Sequence, residues 1–186
     1  MHDIAIINGT IVDGSGSAPY LGYILISDGV IVSTGVDPSF HNDDMRASIT
    51  IDAKNKIVCP GFIDIHTHSD LTLIADGRGE SKLRQGVTTE VVGNCSFSAF
   101  PIEPLNLDLH ADHLARATAP LRPWWTDFDG YAKALEDQGI AINVASLTGH
   151  GTLRVAAMGV DQRQATKYEL DRMVNDLHTA ISQGAF

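Results

Sequence analysis

The sequence predicts an α/β protein in two parts, a small β domain over residues 1–60 followed by a parallel α/β sheet over residues 61–186. Three observations carry this reading. Before Pro60-Gly61 the chain is a series of short apolar runs punctuated by Asn-Gly and Asp-Gly dipeptides. After it, apolar strand patterns alternate with loops and helical patterns, which is how a parallel α/β sheet reads. The composition, 44% apolar with 19% charged residues over 186 positions, describes a chain able to bury a sizeable core.

The β domain is expected to be a set of consecutive antiparallel hairpins. Ile4-Ala5-Ile6-Ile7 precedes Asn8-Gly9, Thr10-Ile11-Val12 precedes Asp13-Gly14-Ser15-Gly16, and Tyr23-Ile24-Leu25-Ile26 precedes Asp28-Gly29. Asn-Gly and Asp-Gly tolerate the positive φ that tight hairpins demand. Val30-Ile31-Val32 and Ile49-Thr50-Ile51 continue the pattern, with a polar irregular loop expected through His41-Asn42-Asp43-Asp44. In the second part, strands are predicted at Phe62–His66, Thr88–Val92 and Ile140–Ala145. Phe128–Gln138 has a helical pattern with Gly139 as its stop. The clearest helix follows Thr166-Lys167-Tyr168-Glu169, a capping box, with Leu170, Met173, Val174, Leu177 and Ile181 at helical spacing up to Gly184. A fourth strand is expected at Ala185-Phe186. A closed eight-unit barrel needs about 250 residues, so the sheet is either small and open or part of something larger.

Charge and composition exclude several partners. A net charge of −10 with no Lys/Arg cluster argues against nucleic acid, whose binding relies on basic patches. No run approaches the roughly 18 apolar residues of a membrane span. The amino terminus, Met1-His2-Asp3-Ile4-Ala5, lacks a basic region ahead of an apolar one, so the expected compartment is the cytoplasm. There the 2 cysteines, Cys59 and Cys95, are expected to be reduced.

The chemistry concentrates in Asp64-Ile65-His66-Thr67-His68-Ser69-Asp70 at the end of a predicted strand. Alternate residues of a strand share a face, so Asp64, His66 and His68 are expected together, and two imidazoles so placed can bind one divalent ion, the alternative being a pair of ordinary surface histidines. A neighbouring carboxylate such as Asp64 can orient a ligating ring or itself ligate. Gly93-Asn94-Cys95 ends the second strand in the equivalent place, where a thiolate would enter the same site. Gly149-His150-Gly151 follows the third strand; its glycines permit close backbone approach, and His150 is a candidate substrate contact or supporting group. Cys59 is read as packing, His110 and His113 as part of a solvated face, and Trp124-Trp125 as loop packing. His2, His41 and His178 are assigned no role.

Pro60-Gly61-Phe62-Ile63-Asp64-Ile65-His66-Thr67-His68 resembles the opening strand of the amidohydrolase superfamily, which builds metal-binding (β/α)8 barrels. Gln85-Gly86-Val87-Thr88-Thr89-Glu90-Val91-Val92-Gly93-Asn94-Cys95 and Leu147-Thr148-Gly149-His150-Gly151-Thr152-Leu153-Arg154 are more specific: they resemble the D-aminoacylase branch, the N-acyl-D-amino-acid deacylases. The resemblance implies a composite amino-terminal β-sandwich over 1–60 and the first three βα units of a truncated metal-dependent barrel over 61–186. It implies His66, His68 and Cys95 as ligands of one or two zinc ions. The substrate would be a small N-acyl-D-amino acid, with no nucleic acid or membrane partner. Ser96 departs from the Gly usual after the Cys.

The implied reaction is amide hydrolysis, in which zinc acidifies water and polarises the carbonyl while an Asp shuttles the proton to the leaving amine. That catalytic Asp and the remaining ligands are expected beyond Phe186, so the 186-residue chain is expected to be inactive alone. Two alternatives are a dihydropyrimidinase- or dihydroorotase-like cyclic amidase, against which Cys95 argues, and a non-catalytic binding module. The module would leave apolar strand edges exposed, which proteins avoid.

Overall fold

The computed structural model describes residues 1–36 and 46–186, so the loop expected through His41–Asp44 lies outside the described residues. These divide into two units, Met1–Pro60 and Gly61–Phe186.

The first unit is a five-stranded sheet of β1 (His2–Ile11), β2 (Tyr20–Ser27), β3 (Val30–Val36), β4 (Ala47–Asp52) and β5 (Ile57–Val58), in the order β3-β2-β1-β4 with β5 also on β1. The β2–β3 hairpin turns at Asp28-Gly29, where both φ are positive (52° and 73°) as a primed turn requires. Asn8-Gly9 does something else. It sits inside β1, where the register against β2 slips between Ile6 and Gly9 and Asn8 takes φ 60°, so the dipeptide makes a β-bulge rather than a hairpin. The Asn8 side chain donates to the Asp52 carboxylate at 2.9 Å. The expectation of antiparallel hairpins throughout also fails at β4 and β5, which run parallel to β1. Local patterning cannot distinguish the two directions when the connection is long.

The second unit holds a three-stranded parallel sheet, β6 (Phe62–Asp64), β7 (Val87–Val92) and β8 (Asn143–Ser146), in that order. Two short helices, α1 (Thr72–Ala75) and α2 (Glu80–Leu83), join β6 to β7. Between β7 and β8 lie α3 (Leu107–Leu114) and α4 (Phe128–Gln138). The Asp127 side chain caps α4 by accepting the Gly130 N–H, and Gly139 ends it at φ 72°. After β8 come α5 (His150–Met158) and α6 (Lys167–Gln183), the latter opened by the Thr166/Glu169 capping box.

The core of this unit gathers Leu71, Phe100, Leu114, Trp125, Tyr131, Leu135, Ile142 and Ala180. Trp125 donates its indole N–H to the Ala99 carbonyl at 2.7 Å, whereas Trp124 is exposed. Beyond α6, Phe186 lies beside β8: its N–H donates to the Ser146 carbonyl and its carbonyl accepts the Thr148 N–H. That is strand-like pairing where a fourth strand is expected.

Two expected strands are shorter than their apolar patterns. β6 stops at Asp64, and β8 begins only at Asn143. Helices α3 and α5 carry no strong sequence signal, because α5 opens on Gly149-His150-Gly151, residues poor in helix propensity. His110 shows what the missing α3 entails. It is fully buried on the face shared with Leu107 and Leu114, its Nε2 accepting the Glu103 N–H at 3.0 Å. It is therefore a core residue, not part of a solvated face. Cys59 is exposed rather than packed, and neither cysteine is in a disulfide.

Candidate metal centre

Because β6 ends at Asp64, the two histidines stand past the strand, and strand alternation does not place them. Hydrogen bonds to β7 do. The buried Thr67 donates both its backbone N–H, at 3.1 Å, and its hydroxyl, at 3.2 Å, to the Val91 carbonyl. Asn94 donates its side-chain amide to the same carbonyl at 2.9 Å and to the Thr67 carbonyl at 3.4 Å. The segment from Ile65 to Ser69 is thus strapped across the end of β7, with His66 and His68 on either side of the buried threonine.

Cys95 reaches the histidines through a left-handed turn. Cys95 and Ser96 have φ of 53° and 73°, and the Phe97 N–H donates to the Asn94 carbonyl to close the turn. Gly93 starts it at φ 80°, where a Cβ would lie 2.2 Å from the Leu147 carbonyl oxygen; only glycine fits. The glycines flanking His150 serve the same turn. A Cβ at Gly149 or Gly151 would come within 2.6 or 2.8 Å of the Ser96 backbone, and Thr152 donates its N–H to the Ser96 carbonyl. Their close approach is to the protein's own backbone.

The outcome is a cluster of His66, His68 and Cys95 whose donor atoms all lie within 4.8 Å of one another. His66 Nε2 is 3.2 Å from Cys95 Sγ, and the two imidazoles stand edge to face with centroids 5.7 Å apart. His68 in turn meets Phe97 edge-on at 6.2 Å, and Phe97 stacks on His113 at 4.6 Å. His68 Nδ1 is buried without a hydrogen-bond partner. Two imidazole nitrogens, one of the rings carrying an orphaned buried atom, and a thiol within one coordination span are a donor set suited to a borderline-soft divalent ion such as zinc.

Asp64 and His150 stand outside this cluster. The Asp64 carboxylate accepts from Lys82 Nζ at 2.5 Å, which holds its pKa below the ordinary carboxylate value, and from the His66 N–H at 3.3 Å. His150 is the exposed first residue of α5. Beneath the site, Asp70 is buried and accepts the Gly93 N–H at 2.8 Å; burial raises its carboxyl to about 6. Tyr131 donates its hydroxyl to the Asp70 carbonyl at 2.8 Å, and burial holds that hydroxyl well above its ordinary value of 10. Sequence reasoning passed over Thr67 and Asn94, which tie the histidine segment to β7, and Lys82 and Glu90, which stand beside Asp64. Their one signal is position, since each lies within or beside the two motifs.

An amidohydrolase family model matches residues 50–184 of the chain. The chain belongs to the amidohydrolase family. This amidohydrolase is 36% identical over 188 residues to the N-acyl-D-aspartate deacylase of Alcaligenes xylosoxydans xylosoxydans, across 99% of this chain and 35% of that one. It is 37% identical over 183 residues to the N-acyl-D-glutamate deacylase of the same organism, across 98% and 36%. Among solved structures it superposes on N-acyl-D-glutamate deacylase from Bordetella bronchiseptica, complexed with zinc and a phosphonate inhibitor, with a TM-score of 0.82 and 36% identity over 97% of this chain and 36% of that one. The chain thus spans about a third of the length of the relatives it matches. Among the described residues no helix is long and apolar enough to cross a membrane.

Proposed function

We propose that this chain is the amino-terminal portion of a zinc-dependent N-acyl-D-amino-acid deacylase, with His66, His68 and Cys95 as zinc ligands. The observation that carries the reading is the convergence of those three donors at the ends of adjacent parallel strands, where α/β enzymes assemble their sites. Similarity to the N-acyl-D-aspartate and N-acyl-D-glutamate deacylases supports the substrate class, a small N-acyl-D-amino acid. On this reading, residues 1–60 are the first part of a composite β-sandwich and residues 61–186 the first three βα units of a (β/α)8 barrel. The exposed Phe62 and Ile63 on the edge strand β6 suit a sheet that continues into further strands.

A bound zinc ion would supply Lewis acidity toward an amide carbonyl and acidify a water molecule. The chain's own contribution is to hold the donors. His66 and His68 offer imidazole nitrogens, and Cys95, with His66 Nε2 3.2 Å away, offers sulfur. Thr67 and Asn94 fix the spacing between them by bonding to β7. Asp64, which accepts the His66 N–H, is read as a supporting group, and His150, the exposed first residue of α5, as a substrate contact or supporting group. We assign no proton-shuttling residue to this chain and expect it to be inactive by itself.

The test uses cobalt in place of zinc. The purified chain titrated with Co²⁺ is expected to show the near-ultraviolet thiolate-to-metal band, and Cys95→Ala to abolish it. A full-length gene product that shows no such band with Co²⁺, or a Cys95→Ala variant that keeps the band, would overturn the ligand assignment. Activity is then measured on the full-length gene product, where Cys95→Ala is expected to abolish release of free D-amino acid from N-acyl-D-glutamate and N-acyl-D-aspartate.

A further inference from the structure

Asp64 on β6 and Glu90 on β7 are directly opposite each other in the parallel register. Like charges in that position are destabilising, and here Glu90 is fully buried, which makes repulsion from a neighbouring carboxylate harder to relieve. A single cation stands between them. Lys82, at the end of α2, places Nζ 2.5 Å from Asp64 Oδ2 and 3.3 Å from Glu90 Oε1. The same cluster grips the histidine segment at both ends. Asp64 accepts the His66 N–H at 3.3 Å, and Ser69, the residue after His68, donates its hydroxyl to Glu90 Oε1 at 3.2 Å. His66-Thr67-His68 is therefore bracketed by two contacts that converge on one ammonium group.

We propose that Lys82 is a positioning residue for the metal centre: by neutralising the opposed Asp64 and Glu90 carboxylates it keeps the ends of β6 and β7 together, and with them the His66/His68 pair against Cys95. The inference rests on the ligand assignment above but concerns a residue that touches no ligand atom. Removing the ammonium leaves two facing carboxylates, one buried, and the least costly relief is for the β6 end to swing away from β7. Thr67, bonded across that gap to Val91, would be released, and the three donors would no longer share one coordination span. Supporting groups of this kind are worth roughly 10- to 100-fold in metal affinity.

The experiment compares wild type, Lys82→Gln, Lys82→Arg and the double variant Lys82→Gln/Glu90→Gln, all as the 186-residue chain. Two readouts are taken: the Co²⁺ dissociation constant from the thiolate band, and hydrogen exchange of the Thr67 amide in metal-free protein. Lys82→Gln is expected to weaken Co²⁺ binding at least tenfold, the low end of that range, and to speed Thr67 exchange by a similar factor. Lys82→Arg is expected to stay near wild type. The double variant, with one carboxylate neutralised, is expected to recover most of the loss, and it covers the case in which Lys82→Gln alone does not fold. Unchanged Thr67 exchange in Lys82→Gln, or a double variant no better than the single one, would overturn the brace. With a wild-type chain that shows no cobalt band, the exchange data would still decide whether Lys82 holds the strand ends, and absence of the band in the full-length gene product would instead overturn the ligand assignment.

Discussion

Two buried groups make the stability of this protein respond to acid in opposite directions, and substitution separates them. His110 is buried in α3, where desolvation, aided by the charges of His113 and Arg172 and opposed by Glu103, lowers its pKa from 6.5 to about 4. The fold holds it neutral. Its contribution is complete above pH 6.5 and is lost as pH falls through 4, because the unfolded chain takes up the proton first. The displacement corresponds to about 3 kcal/mol at about 1.4 kcal/mol per pH unit. Asp70 behaves in reverse. Burial raises its carboxyl from 3.8 to about 6, so the folded chain binds the proton first and gains about 2 kcal/mol between pH 7 and pH 4.

The assay is urea denaturation at pH 7, 5 and 4, followed by the fluorescence of the buried Trp125. His110→Gln keeps an acceptor for the Glu103 N–H but does not titrate in this range. Relative to wild type it is expected to become more stable on going from pH 7 to pH 4, by about 3 kcal/mol. Asp70→Asn keeps the acceptor for the Gly93 N–H and is expected to show the opposite difference, about 2 kcal/mol less stable relative to wild type over the same interval. Carboxylates that do not interact with either group are common to the three proteins and cancel in the comparison. If both variants follow the wild-type pH dependence to within about 0.5 kcal/mol, neither group titrates as burial requires and the reasoning is refuted.

Other outcomes follow from single contacts. Gly93→Ala, forced to φ 80° with its Cβ 2.2 Å from the Leu147 carbonyl, is expected to cost about 2 kcal/mol or more in urea denaturation and to weaken Co²⁺ binding, since the turn carrying Cys95 must shift. Thr166→Ala removes the capping hydroxyl of α6 and is expected to cost about 1 kcal/mol, measured by circular dichroism during urea denaturation, with Co²⁺ affinity unchanged. Thr67→Val deletes the hydroxyl bonded to Val91 at nearly constant volume; it is expected to cost about 1 kcal/mol and to weaken Co²⁺ binding several-fold, read from the thiolate band.

The candidate donors were legible in the sequence, because they lie in two short motifs. His66, His68 and Cys95 are recognisable from Asp-Ile-His-Thr-His and Gly-Asn-Cys, and the residues so named do converge. Helix limits set by local bonding were equally legible: the Thr166/Glu169 box and Gly139 act within a few residues of themselves, so the three-dimensional fold has little to add. Where local signals permit two outcomes, tertiary structure chose. Asn8-Gly9 offers positive φ to a hairpin or to a bulge, and the pairing of β1 with strands on both sides selected the bulge.

His110 carries a polar side chain whose fate depends on whether Leu107 and Leu114 find a core, and they do. The site itself divides in the same way. The sequence determined which atoms are available to a metal ion, but strand alternation would have grouped Asp64 with the histidines. The fold ended β6 at Asp64, turned that carboxylate to Lys82, and brought Cys95 round through a left-handed turn. Those choices depend on contacts between residues far apart in the sequence, such as Thr67 with Val91 and Asp70 with Gly93. Such contacts leave no periodic or compositional trace, because their energy exists only once the separated segments have met.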